Sequence, residues 1–144
     1  MREFDYVAGF AFDEKKERVL LIEKQKPEWQ KGFLNGIGGK VETGESLWEA
    51  QMREFKEETG LLIPEANWNF FCSLNGSDER GNKWRVRFLW AIGNIDHARR
   101  IEDEMPMIRP VNDLGKVIPN LNWLVPMALS MPEENCVYFY SEER

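Results

Sequence analysis

GKVETGESLWEAQMREFKEETGL, residues 39–61, is a glycine-led bend running into a helix. Ser46 and Glu49 stand in the S-x-x-E relation of a capping box, and Glu45 lies near the positive end of the helix dipole. Gly60 supplies the stop. On a wheel of about 100° per residue, Trp48, Met52 and Phe55 form one stripe, which is expected to face the core. Glu54, Glu57 and Glu58, spaced i, i+3, i+4, share another face roughly 140° away. Like charges at this spacing weaken a helix. Arg53 reaches Glu57 at i+4, which leaves two acids without a partner. Alone, E-x-x-E-E reads as a solvated acidic face. The double glycine Gly38-Gly39 alters that reading, because it frees backbone carbonyls beside the acids. Carboxylates plus a carbonyl suit a hard divalent cation such as Mg²⁺ or Mn²⁺.

The chain has 144 residues, enough for one domain spanning 1–144 with a core that needs no disulfide. Its net charge of −6 argues against an electrostatic grip on a nucleic-acid polymer or an anionic membrane. The same charge means that a phosphorylated ligand needs cations to approach an acidic site. Cys72 and Cys136 form no C-x-x-C and read as two reduced thiols. No apolar run reaches the ~18 residues of a membrane span. Acids at Glu3 and Asp5 do not suit a signal peptide, so a cytoplasmic protein is expected.

Outward from the helix, 6–12 (YVAGFAF) and 18–23 (RVLLIE) are β-prone runs joined by a charged turn, a hairpin. Strands this apolar call for cover on both faces, hence helices on either side of a sheet. Residues 24–33 read as a loop, and 34–41 (LNGIGGKV) lead into the bend. Asn35 has the plain reading of an Asn-Gly turn residue. Lys40 follows the double glycine, where its ammonium can meet a bound phosphate. Residues 67–74 and 83–92 form a second hairpin, with Arg85 and Arg87 on a solvated face. His97, the only histidine, reads as a surface residue. Residues 101–105 are an acidic loop, 119–129 a second helix with Asn120 or Asn122 near its cap, 137–140 a last strand, and 141–144 a frayed tail.

The spacing G-x5-E-x7-R-E-φ-x-E-E-x-G-φ, with φ apolar, resembles the Nudix box of the Nudix hydrolases. It is met by Gly39, Glu45, Arg53, Glu54, Glu57, Glu58 and Gly60, with Phe55 and Leu61 at the apolar places. The resemblance implies an α/β fold, a Nudix-type α/β/α sandwich with a central mixed β-sheet. It also implies Mg²⁺-dependent hydrolysis (Mn²⁺ as a substitute) of a nucleoside diphosphate linked to a further group. Glu54, Glu57 and Glu58 would be metal ligands assisted by the Gly38 carbonyl, Arg53 an orienting partner and Glu45 a supporting residue. A further glutamate from a distant loop serves some members as ligand or base. Glu104 is the candidate here, with Glu102 or Asp103 behind it.

Beyond the box, residues 35–41, 103–105 and 123–126 are similar to the MutT-like branch, which includes hydrolases of oxidised purine triphosphates. By that likeness Asn35 touches the base and Trp123 packs on it. Pro119 and Asn120 stand near the places where such relatives carry acids that read the purine edge. The expected reaction is therefore cleavage of a nucleoside triphosphate to the monophosphate and pyrophosphate. ADP-ribose or a similar diphosphate is the alternative, although Ser77 stands where ADP-ribose enzymes tend to have proline, and Asp78 and Glu79 where dinucleoside polyphosphate enzymes tend to have tyrosine. A catalytically silent nucleotide-binding module is disfavoured because every box acid is present. The expected partner is a small nucleotide, bound by a monomer or homodimer.

Overall fold

Two apolar runs that need cover on both faces end up in the middle of the sheet. In the structure, a computed structural model describing residues 3–131 and 136–142, they are β1 (Glu3–Phe12) and β2 (Arg18–Glu23). The chain continues through β3 (Leu34–Asn35), β4 (Ile37–Lys40), α1 (Leu47–Thr59), β5 (Asn69–Ser77), β6 (Lys83–Ile92), β7 (Met105–Pro110), α2 (Leu121–Ser130) and β8 (Val137–Glu142). The strands form one mixed sheet in the order β3-β2-β1-β6-β5-β8, with β4 on β1 and β7 on β2. β1 runs parallel to β6 and β5 parallel to β8, while the other pairs are antiparallel.

Each apolar strand feeds two cores. Phe10, Phe12, Val19, Leu21, Phe88 and Trp90 pack with Leu121, Leu124 and Val125 of α2. On the opposite face, Val7, Ala11, Leu20, Ile22 and Leu89 pack with Leu47, Ala50 and Phe55 of α1. This is the α/β/α sandwich that the resemblance implied.

The first hairpin is shorter than its sequence suggests. β1 and β2 are registered only at Ala11↔Leu20 and Phe12↔Val19. Past that point β2 parts from β1, and β4 takes the vacated edge through Val7↔Gly39, Ala8↔Gly38 and Gly9↔Ile37. The approach is close enough to demand glycine: a Cβ on Gly38 would lie 1.9 Å from the Val7 carbonyl oxygen. So 34–41 is not only a lead-in; it supplies two short strands that set the bend against β1.

α1 starts and stops as its sequence dictates. The Ser46 hydroxyl accepts from the Glu49 amide and the Glu49 carboxylate accepts from the Ser46 amide, each at 3.0 Å. Gly60 closes the helix at φ 76°, a left-handed position. The stripe is a correction. Trp48 is 38 % exposed, and the buried positions are Leu47, Ala50, Gln51, Phe55, Glu58 and Thr59. The helix is rotated so that Glu58 points inward and Glu54 sits at the margin, because the sheet offers room for polar groups near β4.

Two further expectations change. β7 was not foreseen, since Pro106 and Pro110 in MPMIRP suppress a strand reading; the strand pairs only with β2, the edge setting in which proline is tolerated. Arg85 and Arg87 are not simply solvated, because both donate to Asp5, at 3.0 and 2.8 Å. Asn120 precedes α2 without a side-chain cap hydrogen bond. His97 is exposed and both cysteines are free, as expected. Burial pushes the Cys72 thiol up to about 12. Part of the expected tail, 143–144, lies outside the described residues.

Phe55 is fully buried and meets Trp68 edge-on at 5.1 Å, anchoring α1 to its core. Phe55→Ala should lower the unfolding free energy by about 3–5 kcal/mol in chemical denaturation. A loss below about 1 kcal/mol would show that the helix is held elsewhere.

Candidate active site

One guanidinium gathers the acids. Arg53 Nε donates to Glu45 Oε2 at 2.6 Å and Nη2 to Glu45 Oε1 at 2.9 Å. Nη2 also donates to the Lys40 carbonyl at 3.0 Å. Nη1 donates to Glu54 Oε1 at 2.9 Å and reaches Glu57 Oε2 at 3.4 Å. Sequence spacing pointed to the Glu57 contact alone; the shorter bond is to the neighbouring Glu54, which the inward turn of α1 makes possible. Glu45, expected to act on the helix dipole, is instead the bidentate partner of Arg53. That hydrogen-bonded pair holds the Glu45 carboxyl below the usual carboxylate range.

Glu58 is left without such help. It is 8 % exposed, and its Oε2 is buried with no hydrogen-bond partner. Burial pushes its pKa up to about 8; Lys24 pulls it down, while Glu104, Glu54 and Glu102 push it further up. Glu54 is also raised, because burial outweighs the attraction of Arg53. These couplings place Glu54, Glu57, Glu58, Glu102 and Glu104 in one electrostatic neighbourhood.

Strand register brings in the distant glutamate. Glu23 of β2 pairs with Met105 of β7, so the residues just beyond, Lys24 and Glu104, stand side by side. The Lys24 ammonium donates to Glu104 Oε1 at 3.0 Å, and the Gln25 amide donates to Oε2 at 2.8 Å. Lys24 was absent from the sequence reading. Its only signal was the β2–β7 pairing, which the prolines concealed.

The residues fit a hard divalent cation by chemistry. The donors are all oxygens, Glu58 presents an orphaned buried carboxylate oxygen, and the adjoining strand is glycine at Gly38 and Gly39. A Cβ on Gly39 would lie 2.6 Å from the Glu54 carboxyl carbon, so glycine leaves that carboxylate its place. Among the described residues no three acidic, histidine or cysteine side chains already converge at ligand distance. Glu54 is engaged by Arg53 and Glu104 by Lys24, and an ion would draw them from these partners.

The base-contact candidates lie on β3 and at the start of α2. Asn35 Oδ1 accepts from the Gly36 amide at 2.8 Å, and its Nδ2 donates to Gln30 Oε1 at 3.2 Å. The Ile118 amide donates to the Leu34 carbonyl at 2.9 Å, which ties β3 to the segment leading into α2. Asn120 sits there with its Oδ1 buried and without a partner. Trp123, 42 % exposed, meets Phe139 of β8 edge-on at 5.4 Å. Lys40 is exposed. Two clefts, of about 560 and 380 Å³, lie elsewhere, one bounded by Asp13, Arg18 and Asp96, the other by Phe4, Trp84 and Tyr140. Neither touches Glu54, Glu57 or Glu58.

The NUDIX domain family matches residues 4–134. Over 85 residues, the chain is 35% identical to the 8-oxo-dGDP phosphatase NUDT18 of Mus musculus, a match covering 59% of this chain and 24% of that one. It is 40% identical over 76 residues to an ADP-ribose pyrophosphatase of Methanocaldococcus jannaschii, covering 53% of this chain and 44% of the relative. Each match thus spans less than half of the relative's length. Among solved structures, a MutT protein from Bacillus halodurans superposes with a TM-score of 0.73 at 21% identity, covering 96% of this chain and 89% of the other, a likeness of fold.

The Glu58 shift has a sign that can be checked. In the metal-free fold the group prefers to be neutral up to about pH 8, whereas the unfolded chain ionises it above its ordinary value of 4.5. Its contribution to stability is whole below that value and declines as pH rises towards 8. Metal-free Glu58→Gln should therefore melt above the wild type near pH 8, with the gap closing towards about pH 4.5. Parallel melting-temperature profiles would remove the buried-acid assignment.

Proposed function

The chain belongs to the NUDIX family, and on that premise we propose that it is a Mg²⁺-dependent hydrolase, with Mn²⁺ as a substitute, splitting the pyrophosphate linkage of a nucleoside triphosphate into the monophosphate and pyrophosphate. The observation that carries this reading is the buried, unpartnered Glu58 carboxylate beside Glu54 and the glycine strand. An apolar residue would be cheaper to bury there, so the acid is retained for a ligand that compensates its charge.

Glu54, Glu57 and Glu58, with the Gly38 carbonyl, would hold the ion. When bound, a divalent ion offsets the charge of a diphosphate and lowers the pKa of a water. Arg53 orients Glu54 and keeps the bend at Lys40 fixed to the helix. Lys24 is the cation nearest Glu104, and both oxygens of Glu104 are occupied. Each Glu104 oxygen keeps a further lone pair that can accept a proton from water, and the phosphate of an arriving substrate gives the Lys24 ammonium a competing partner. Lys40 meets the outer phosphate. Asn35 and the unpartnered Asn120 supply hydrogen bonds to a base, and Trp123 supplies a stacking surface.

The second reading is hydrolysis of ADP-ribose or another nucleoside diphosphate joined to a further group. Its support is the likeness to the archaeal ADP-ribose pyrophosphatase. Both substrates place a P–O–P bridge over the same acids and differ in what lies beyond it.

A nucleotide panel with Mg²⁺, scored for pyrophosphate, orthophosphate and monophosphate, separates the two. Pyrophosphate release from triphosphates supports the first reading, and turnover confined to ADP-ribose replaces it with the second. Glu57→Gln should lower kcat by several orders of magnitude with an unchanged circular dichroism spectrum; near wild-type turnover would remove the metal assignment. Asn35→Ala should raise KM and flatten base preference at nearly constant kcat. Unchanged values for both would detach Asn35 from the base.

A further inference from the structure

Gln51 is a fully buried amide in an otherwise apolar layer between α1 and the sheet. It lies seven residues before Glu58 and three before Glu54, on the same helical flank. Its Nε2 donates to the carbonyl of Ile37 at 2.8 Å, and Ile37 immediately precedes Gly38 in β4. Its Oε1 has no hydrogen-bond partner. β1 makes room for it: a Cβ on Gly9, the residue paired with Ile37, would sit 2.2 Å from Gln51 Nε2 and 2.8 Å from the Trp68 ring. Two residues are thus given over to one hydrogen bond, a glycine in a central strand and an amide with an unmet acceptor. Gly9 also makes way for Trp68, but the buried amide with an unmet acceptor disfavours the fold relative to an apolar side chain of similar volume. Packing does not explain the choice; the placement of β4 relative to α1 does.

We infer that Gln51 is a positioning residue, whose amide fixes the strand bearing Gly38 and Gly39 against the helix bearing Glu54, Glu57 and Glu58. Arg53 ties the same two elements on the solvent side, through the Lys40 carbonyl. Gln51 does so from beneath, so that carbonyl and carboxylates keep one spacing. The inference rests on the metal-binding reading of those acids. It assigns Gln51 no contact with metal or substrate.

The test uses two variants. Gln51→Met keeps the volume and removes the donor. Gln51→Leu removes the amide altogether and leaves Gly9 and Trp68 untouched. Mn²⁺ affinity is read by electron paramagnetic resonance, together with melting temperature and kcat and KM at saturating and limiting metal. Both variants should remain folded, with melting temperatures at or above that of the wild type. Both should bind Mn²⁺ about tenfold more weakly, the effect typical of losing an outer partner of a metal site, and should regain most of kcat at saturating metal. Wild-type Mn²⁺ affinity in either folded variant overturns the inference and leaves the hydrolase reading intact. Absence of Mn²⁺ binding by the wild-type protein overturns the metal reading and this inference with it.

Discussion

The structure depends on Arg53 holding several carboxylates that would otherwise repel one another and the helix that bears them. Like-charge pairs on a helix cost only a few tenths of a kcal/mol each when exposed, but Glu54 and Glu58 are drawn towards the sheet, where the cost grows. Hydrogen bonds to charged groups contribute on the order of 1.5–3 kcal/mol each, and Arg53 makes short ones to Glu45, Glu54 and the Lys40 carbonyl. The attraction wins outright at Glu45, while at Glu54 burial still outweighs it. Its grip on the Lys40 carbonyl matters as much as its grip on the acids, because it joins the glycine bend to the helix. Glu58, outside that reach, carries the remaining strain as a raised pKa.

Much of this was legible in the sequence where local signals and tertiary demand agree. The capping box and Gly60 fixed α1 at both ends because these motifs satisfy backbone groups within one turn. The unbroken apolar runs marked β1 and β2 because a strand covered on both faces needs no polar alternation. The box acids came from spacing. The rotation of α1 did not, since a hydrophobic wheel gives Trp48 the inward place and Glu58 the outward one. Tertiary space decided otherwise: Gly9 and Gly39 open gaps that polar side chains fill, and Trp48 stays at the rim.

β7 and Lys24 were hidden together. A strand with proline at two of six positions reads as a loop, and only its pairing with β2 shows why proline is tolerated there. Once that register is known, Glu104 ceases to be a glutamate in an acidic loop. It becomes the neighbour of the residue that follows β2. The resemblance singled out Glu104 without its physical setting, which is the pairing of β2 with β7. Asn35 and Asn120 flank another pairing that no local pattern encodes, the bond between the Leu34 carbonyl and the Ile118 amide.

Arg53 and Lys24, the cations paired with Glu54 and Glu104, differ in how the fold holds them. Arg53 spends its planar fork on several fixed partners at once, and losing any one of them leaves the others in place, so it behaves as framework. Lys24 is a compact charge on a flexible stem, with one short ion pair to Glu104 and the Gln25 amide already on that carboxylate's other oxygen. Withdrawing Lys24 leaves Glu104 still held by a backbone donor and costs less than withdrawing Arg53. The acids thus face one cation held by several partners and one held by a single ion pair. The strand register of β2 and β7 places the latter beside the acids.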